Sequence, residues 1–171
     1  MTAPERLRNL DESVRAFAHC IRSLSGRLFL AKLDEQWTPR DVTAHLIGWN
    51  RHTLEGSRQI RTGQQPFYFA NPGDDFSKVN AVSVGKYNSR NARELVDQLE
   101  TSAQELERFL LSLDPAELEA DYGVRYRGGS VTIGNTVDAL VDDYVLHRRQ
   151  IEDWATTTRR ELGSKEDSLK G

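Results

Sequence analysis

Four stretches of the chain repeat apolar residues every three or four positions, and that period commits them to helices that each bury one stripe. The first stripe is Leu7, Leu10, Val14, Phe17, Ile21 and Leu24, and Gly26 is the expected stop, because glycine accepts the left-handed backbone beyond a helix end. The second opens on the strongest start signal in the sequence. Thr38 is placed to cap, Pro39 fits the first helical position, and Asp41 meets free amides at the positive helix end. Its inward positions are Val42, His45, Trp49, His52 and Gly56, with Gly63 as the stop. A third start is Asn91 with Glu94 in the first turn, followed by Leu95, Leu99, Leu106, Leu110 and Leu113; Ser102 and Ala103 leave room for a neighbouring backbone. The fourth begins at Thr132 or Asn135 and carries Val137, Leu140 or Val141, Tyr144, His147, Ile151 and Trp154 to about Leu162. Beyond Gly163, residues 164–171 read as a polar, frayed tail.

No segment shows a convincing strand alternation, so the expected architecture is all-α, a four-helix bundle forming a single domain over residues 1–163. Two excursions interrupt it. Residues 63–90 contain Gly63, Pro66, Pro72 and Gly73 with the aromatics Phe67, Tyr68, Phe69 and Phe76, which predicts an ordered cover with a short helical piece over Phe76–Tyr87. Asp114-Pro115 closes the third helix and opens a short turn. Gly123–Gly134 reads as the second loop, with Gly128-Gly129 marking a turn.

Charge and cysteine content narrow the function classes. Lys plus Arg number 23 against 26 Asp plus Glu, a net charge of −3, so no strong field favours phosphate backbones and direct nucleic-acid binding is not expected. Cys20 is the single cysteine and can form neither an internal disulfide nor a thiolate metal site. The N-terminal MTAPERLRNLDESV lacks the apolar run of a secretory signal, and no apolar stretch approaches the roughly eighteen residues of a membrane span. A cytoplasmic protein is expected, and a spare helix face leaves homodimer formation open.

The chemistry lies in the stripes. Positions that should hold Leu, Ile or Val instead hold His45 and His52 on the second helix and His147 on the fourth, and a buried imidazole is costly unless paired. Asp143 lies one turn before His147 on the same face. If His45, Asp143 and His147 converge, they form an open nitrogen and oxygen donor set suited to Zn, Ni, Mn or Fe(II). Two other readings share that spacing: a core histidine satisfied by Asp143, and a metal-free general base that His147 supplies and Asp143 orients. Substrate contacts are expected from Trp49, His52 and Tyr144 on the helices and from Tyr68, Asn80 and Tyr87 in the excursion.

The segments WTPRDVTAHLIGWN (37–50) and DDYVLHRRQIEDW (142–154) resemble the DinB-like superfamily of four-helix bundles. The loop DDFSKVN (74–80) and the following YNSRNARELVDQLETSAQELERFL are similar to its ClbS/DfsB branch. The resemblance implies an up-down-down-up bundle and a metal site whose positions match His45, Asp143 and His147, with Asp143 standing where the usual member has histidine. Relatives include thiol-dependent transferases and isomerases as well as resistance proteins, and the ClbS-like branch is associated with hydrolysing the cyclopropane warhead of a DNA-damaging natural product. The leading expectation is therefore a hydrolase that adds water to an electrophilic small molecule and requires no cofactor. The alternatives are a divalent-metal-dependent thiol transferase and a non-catalytic protein that sequesters a ligand.

Overall fold

The computed structural model describes residues 1–169. Helix α1 (Ala3–Arg22) starts from a capping box in which the Thr2 hydroxyl accepts the Glu5 amide and the Glu5 carboxylate accepts the Thr2 amide. It ends at Ser23, before the expected glycine. Gly26 instead begins a short helix, α2 (Gly26–Phe29), because the Ser25 side chain caps the Leu28 amide and restarts the helical turn.

Helix α3 (Pro39–Arg61) begins where its sequence signal places it: Thr38 N donates to Asp41 Oδ2 at 2.9 Å and Asp41 N to Thr38 Oγ1 at 3.2 Å. Gly63, at φ 77°, takes the left-handed conformation just past its end. The excursion that follows is ordered, with 3-10 turns at Phe67–Phe69 and Pro72–Asp74 leading into α4 (Ser77–Lys86). Asn91 caps α5 (Ala92–Leu111), and Asp114 caps a 3-10 turn over Pro115–Leu118.

The second loop contains an element with no sequence counterpart, a small antiparallel hairpin of β1 (Arg125–Tyr126) and β2 (Gly129–Ser130). Arg127 and Gly128 both have positive φ, 51° and 78°, as a tight mirror-image turn requires. Two-residue strands are too short to show an alternation. Helix α6 (Ile133–Leu169) is capped by Thr132, which exchanges bonds with Asn135 at 3.0 and 3.1 Å. It runs through Gly163 and on to Leu169, so residues 164–169 are helical where a frayed tail was expected. A glycine inside a helix costs only about 1 kcal/mol, and Ser164 and Ser168 bond back onto the preceding turn. Lys170 and Gly171 lie outside the described residues.

Polar contacts give the helix directions. Arg6 at the start of α1 meets Asp138 at the start of α6, and Ser23 at its end meets Arg159, so α1 and α6 are parallel. Arg22, at the end of α1, pairs with Glu100, and Asp11 and Arg15, earlier in α1, face Glu107, later in α5, so α5 is antiparallel to α1. Arg40, Asn50 and Arg61 of α3 meet residues 88, 99–102 and 117 in order, so α3 is parallel to α5. In chain order the four long helices run up, down, down, up. Leu10, Phe17, Leu46, Leu99, Leu106 and Tyr144 fill the shared core and are fully buried.

Candidate active site

Three helical periods bring the site together. His45 is the inward residue of the second turn of α3, and Asp143 and His147 occupy successive turns of α6, which crosses beside it. His45 Nε2 lies 2.9 Å from Asp143 Oδ2, and His147 Nε2 lies 3.3 Å from Asp143 Oδ1. One carboxylate therefore receives both imidazoles, whose ring centres are 5.0 Å apart at 79°. Trp37, just before α3, packs against both rings at 4.9 and 6.1 Å. Its position ahead of the stripe gave it no site role in the sequence.

Helix α4 adds a fourth member. The Trp49 indole donates to Asn80 Oδ1 at 2.9 Å, and His45 Nδ1 lies 3.1 Å from the same oxygen. Gly48 permits this approach: a Cβ there would stand 2.0 Å from Ser83 Oγ, so the missing side chain lets Ser83, one turn after Asn80, seat α4 on α3.

Burial raises the Asp143 carboxyl, but hydrogen bonding and charge from His147 and His45 outweigh it and hold the group well below the usual carboxylate range. Asp143 is thus an anion set between two imidazoles. Donor atoms of His45, Asp143 and His147 all lie within 4.8 Å of one another, so among the described residues this group could hold a metal ion. The donor chemistry fits: two imidazoles and a carboxylate suit a divalent cation, and a ligating histidine commonly donates its other ring N–H to a carbonyl, the place Asn80 occupies.

A cavity of about 650 Å³ opens beside the cluster between α3, α6 and the excursion. His45, Asp143 and Asn80 reach its wall, with Trp49, Tyr68, Phe69, Phe76, Leu140 and Leu146 supplying most of the rest. Among the described residues the lining includes no lysine or arginine. Gly56 makes room for the Tyr68 ring, since a Cβ there would lie 2.8 Å from the Tyr68 hydroxyl. Thr53, Phe69, Phe76 and Asp142 also line the space. The aromatic richness of the excursion signalled Phe69 and Phe76, whereas nothing in the sequence marked Thr53 or Asp142.

The other expected contacts divide. Trp49, Tyr68 and Asn80 line the cavity, but His147 stands behind Asp143 and is absent from the wall. Tyr144 is in the core: it is fully buried and its hydroxyl donates to Asn50 Oδ1 at 2.9 Å, because its turn of α6 faces the centre of the bundle. Tyr87 ends α4 outside the lining, beneath the Lys86 ammonium. His52 also lies outside it, packed between Trp49 and Phe67, and burial pulls its pKa down to about 4, so the ring is neutral at neutral pH.

Residues 9–151 match the family model of the DinB superfamily, and the chain belongs to that superfamily. Solved structures of the same fold include the colibactin self-resistance protein ClbS in complex with a dsDNA, at 17% identity and a TM-score of 0.72, covering 90% of this chain and 95% of that one. A second is the Sibling Lethal Factor Precursor DfsB, at 13% identity and a TM-score of 0.76, covering 93% and 98%. The mycothiol-dependent maleylpyruvate isomerase aligns at 16% identity and a TM-score of 0.70, covering 88% of this chain and 61% of that one. No curated protein matches the chain. The DNA belongs to the ClbS structure, and the expectation that this chain makes no direct nucleic-acid contact rests on net charge alone. Among the described residues no helix is long and apolar enough to cross a membrane.

Proposed function

We propose that this protein is a ClbS-like cytoplasmic hydrolase that adds water to an electrophilic small molecule held in the cavity, and so protects against a reactive natural product. The observation that carries this reading is the placement of His45 beside ionised Asp143 on the wall of a largely apolar space. Walls of this kind favour a neutral organic body over an anion. A water at the wall gives its proton to the His45–Asp143 pair, and its oxygen bonds to the electrophilic carbon. The strained or activated bond at that carbon breaks, and the departing atom takes up the proton, so the addition is redox-neutral. Asp143 stabilises the imidazolium formed on His45, and His147 holds the far oxygen of Asp143 in place. This assigns the base to His45, which reaches the wall, and a supporting role to His147.

The test is incubation with a panel of strained and conjugated electrophiles in H₂¹⁸O, followed by mass spectrometry. One ¹⁸O per product molecule is expected, at a rate that falls with His45→Gln. Ligand recovered unchanged over many equivalents of time would overturn hydrolysis in favour of sequestration.

The donor set favours one second reading, a divalent-metal-dependent thiol transferase. In that case His45, Asp143 and His147 would hold the cation, whose Lewis acidity toward a bound oxygen or thiol supplies the activation. A product carrying the thiol in place of water would select it.

A further inference from the structure

We infer that Thr53 and Tyr68 form a second subsite of the cavity, one that donates hydrogen bonds to a carbonyl or ether oxygen of the ligand at the end away from the His45–Asp143 pair. The substrate class this defines is a long, neutral, largely apolar electrophile. Its oxygen acceptor lies about 12 Å from its reacting carbon, the rise of the eight residues that separate His45 from Thr53 along α3.

Thr53 and Tyr68 are 3% and 4% exposed, and both line the cavity. Among the described residues, neither hydroxyl bonds to a protein atom. Thr43 and Thr101 donate to the carbonyl four residues back, the ordinary outlet for a threonine hydroxyl within a helix, but Thr53 makes no such bond. The Tyr144 hydroxyl, likewise buried, donates to Asn50. That of Tyr68 ends against Gly56, three residues beyond Thr53 on α3, where there is no side chain to meet it. Ser57 and Tyr126 also carry hydroxyls without a partner, but theirs are sealed in protein, whereas those of Thr53 and Tyr68 are not. A hydroxyl withdrawn from bulk water and from protein acceptors is costly unless something in the cavity meets it. Burial pushes the Tyr68 phenol up, so it keeps its proton and donates. The two ends of the cavity therefore differ in sense: the Asp143 carboxylate accepts at one and two hydroxyls donate at the other. Between them the Trp49 ring, 5.1 Å from Tyr68 and 5.7 Å from Phe76, supplies an aromatic wall. A carbonyl oxygen has two lone pairs, accepts from both hydroxyls and reproduces the bonds of the water it displaces.

This inference rests on the cavity being the ligand site of the proposed function, but its main readout is binding and not turnover. The probes are 4-acetylbiphenyl and 4-isopropenylbiphenyl, which share one shape and differ in ending on a carbonyl oxygen or a methylene group. Their dissociation constants are measured by tryptophan fluorescence in wild type, Tyr68→Phe, Thr53→Val and the double variant. Comparing the two probes across variants cancels their different hydration. The preference for the ketone should fall about 3- to 10-fold in each single variant and further in the double variant, with the affinity for the hydrocarbon within about twofold of wild type. An unchanged preference in the double variant, or failure of both probes to bind wild type, would overturn the inference. Urea midpoints should be no lower in the variants, since neither hydroxyl holds a protein contact; a loss of stability with the preference intact would make the two residues structural. If the preference falls as expected while no electrophile is hydrolysed, the subsite stands and the hydrolase reading falls. If a carbonyl-bearing electrophile is hydrolysed with the same KM by the double variant and wild type, the hydrolase reading stands and the subsite falls.

Discussion

Two polar clusters tie α3 to α6 within two turns of each other, and they are built on opposite principles. In the first, the Tyr144 hydroxyl donates to Asn50 Oδ1, and the Asn50 amide donates to Ser102 Oγ and the Leu99 carbonyl. Ser102 donates to the same carbonyl. Each of these donors has its acceptor and the three side chains are sealed in the core. The second cluster, His45, Asp143, His147 and Asn80, opens on a cavity and sets an ionised carboxylate between two imidazoles. A balanced, sealed network fixes helix register. A charged one at the edge of a cavity is where a cation or a reacting molecule can be held.

The largest effect expected is on turnover. His45→Gln keeps a polar side chain of similar reach but removes the base, and should lower the rate about 10²- to 10³-fold while leaving the unfolding midpoint in urea nearly unchanged. A variant that lost stability and kept its rate would place His45 in the first class of cluster. Tyr144→Phe is the converse: it leaves the Asn50 oxygen buried without a donor and should cost about 1–3 kcal/mol in denaturant unfolding, with ligand affinity at the cavity unaltered.

His52 supplies a pH test that separates the two clusters. Burial lowers its pKa from 6.5 to about 4, so the folded state binds fewer protons than the unfolded chain between those values. The associated stability is complete above about pH 6.5 and is lost as pH falls toward 4, amounting to about 1–2 kcal/mol once solvent screening of the partly exposed ring is allowed for. Urea melts at pH 7 and pH 4.5 should show this loss, and His52→Phe should flatten it. The contribution of Asp143, whose carboxyl is held low, disappears only at more acid pH, below the ordinary carboxylate range near 4. The smallest expected effect is that of His147→Ala, which acts through Asp143 and should slow turnover about tenfold.

The parts of this arrangement legible in the sequence are those set by local period and capping. Thr38, Pro39 and Asp41 fix the start of α3, and therefore the phase at which His45 points inward. The four-residue step from Asp143 to His147 puts both on one side of α6. Period alone reports only that a side chain faces inward, not whether it meets core or cavity, which is why Tyr144 was expected to contact substrate. Asn80 was named as a contact, but its bond to His45 depends on Gly48 admitting Ser83, a fit between two helices far apart in the chain. The hairpin at Arg125–Ser130 and the run of α6 through Gly163 follow from tertiary packing and helix propagation that no short window contains.

The most direct test of the open cluster is the rate at which a hydrolysed electrophile disappears with Asp143→Asn, an isosteric change that removes the negative charge between the two imidazoles and turns one acceptor oxygen into a donor, compared with wild type at matched unfolding free energy. A fall of about 100-fold or more is expected, since the imidazolium formed on His45 would lose its counter-charge. A rate within twofold of wild type would contradict the assignment and make the pairing of His45 with Asp143 a structural contact.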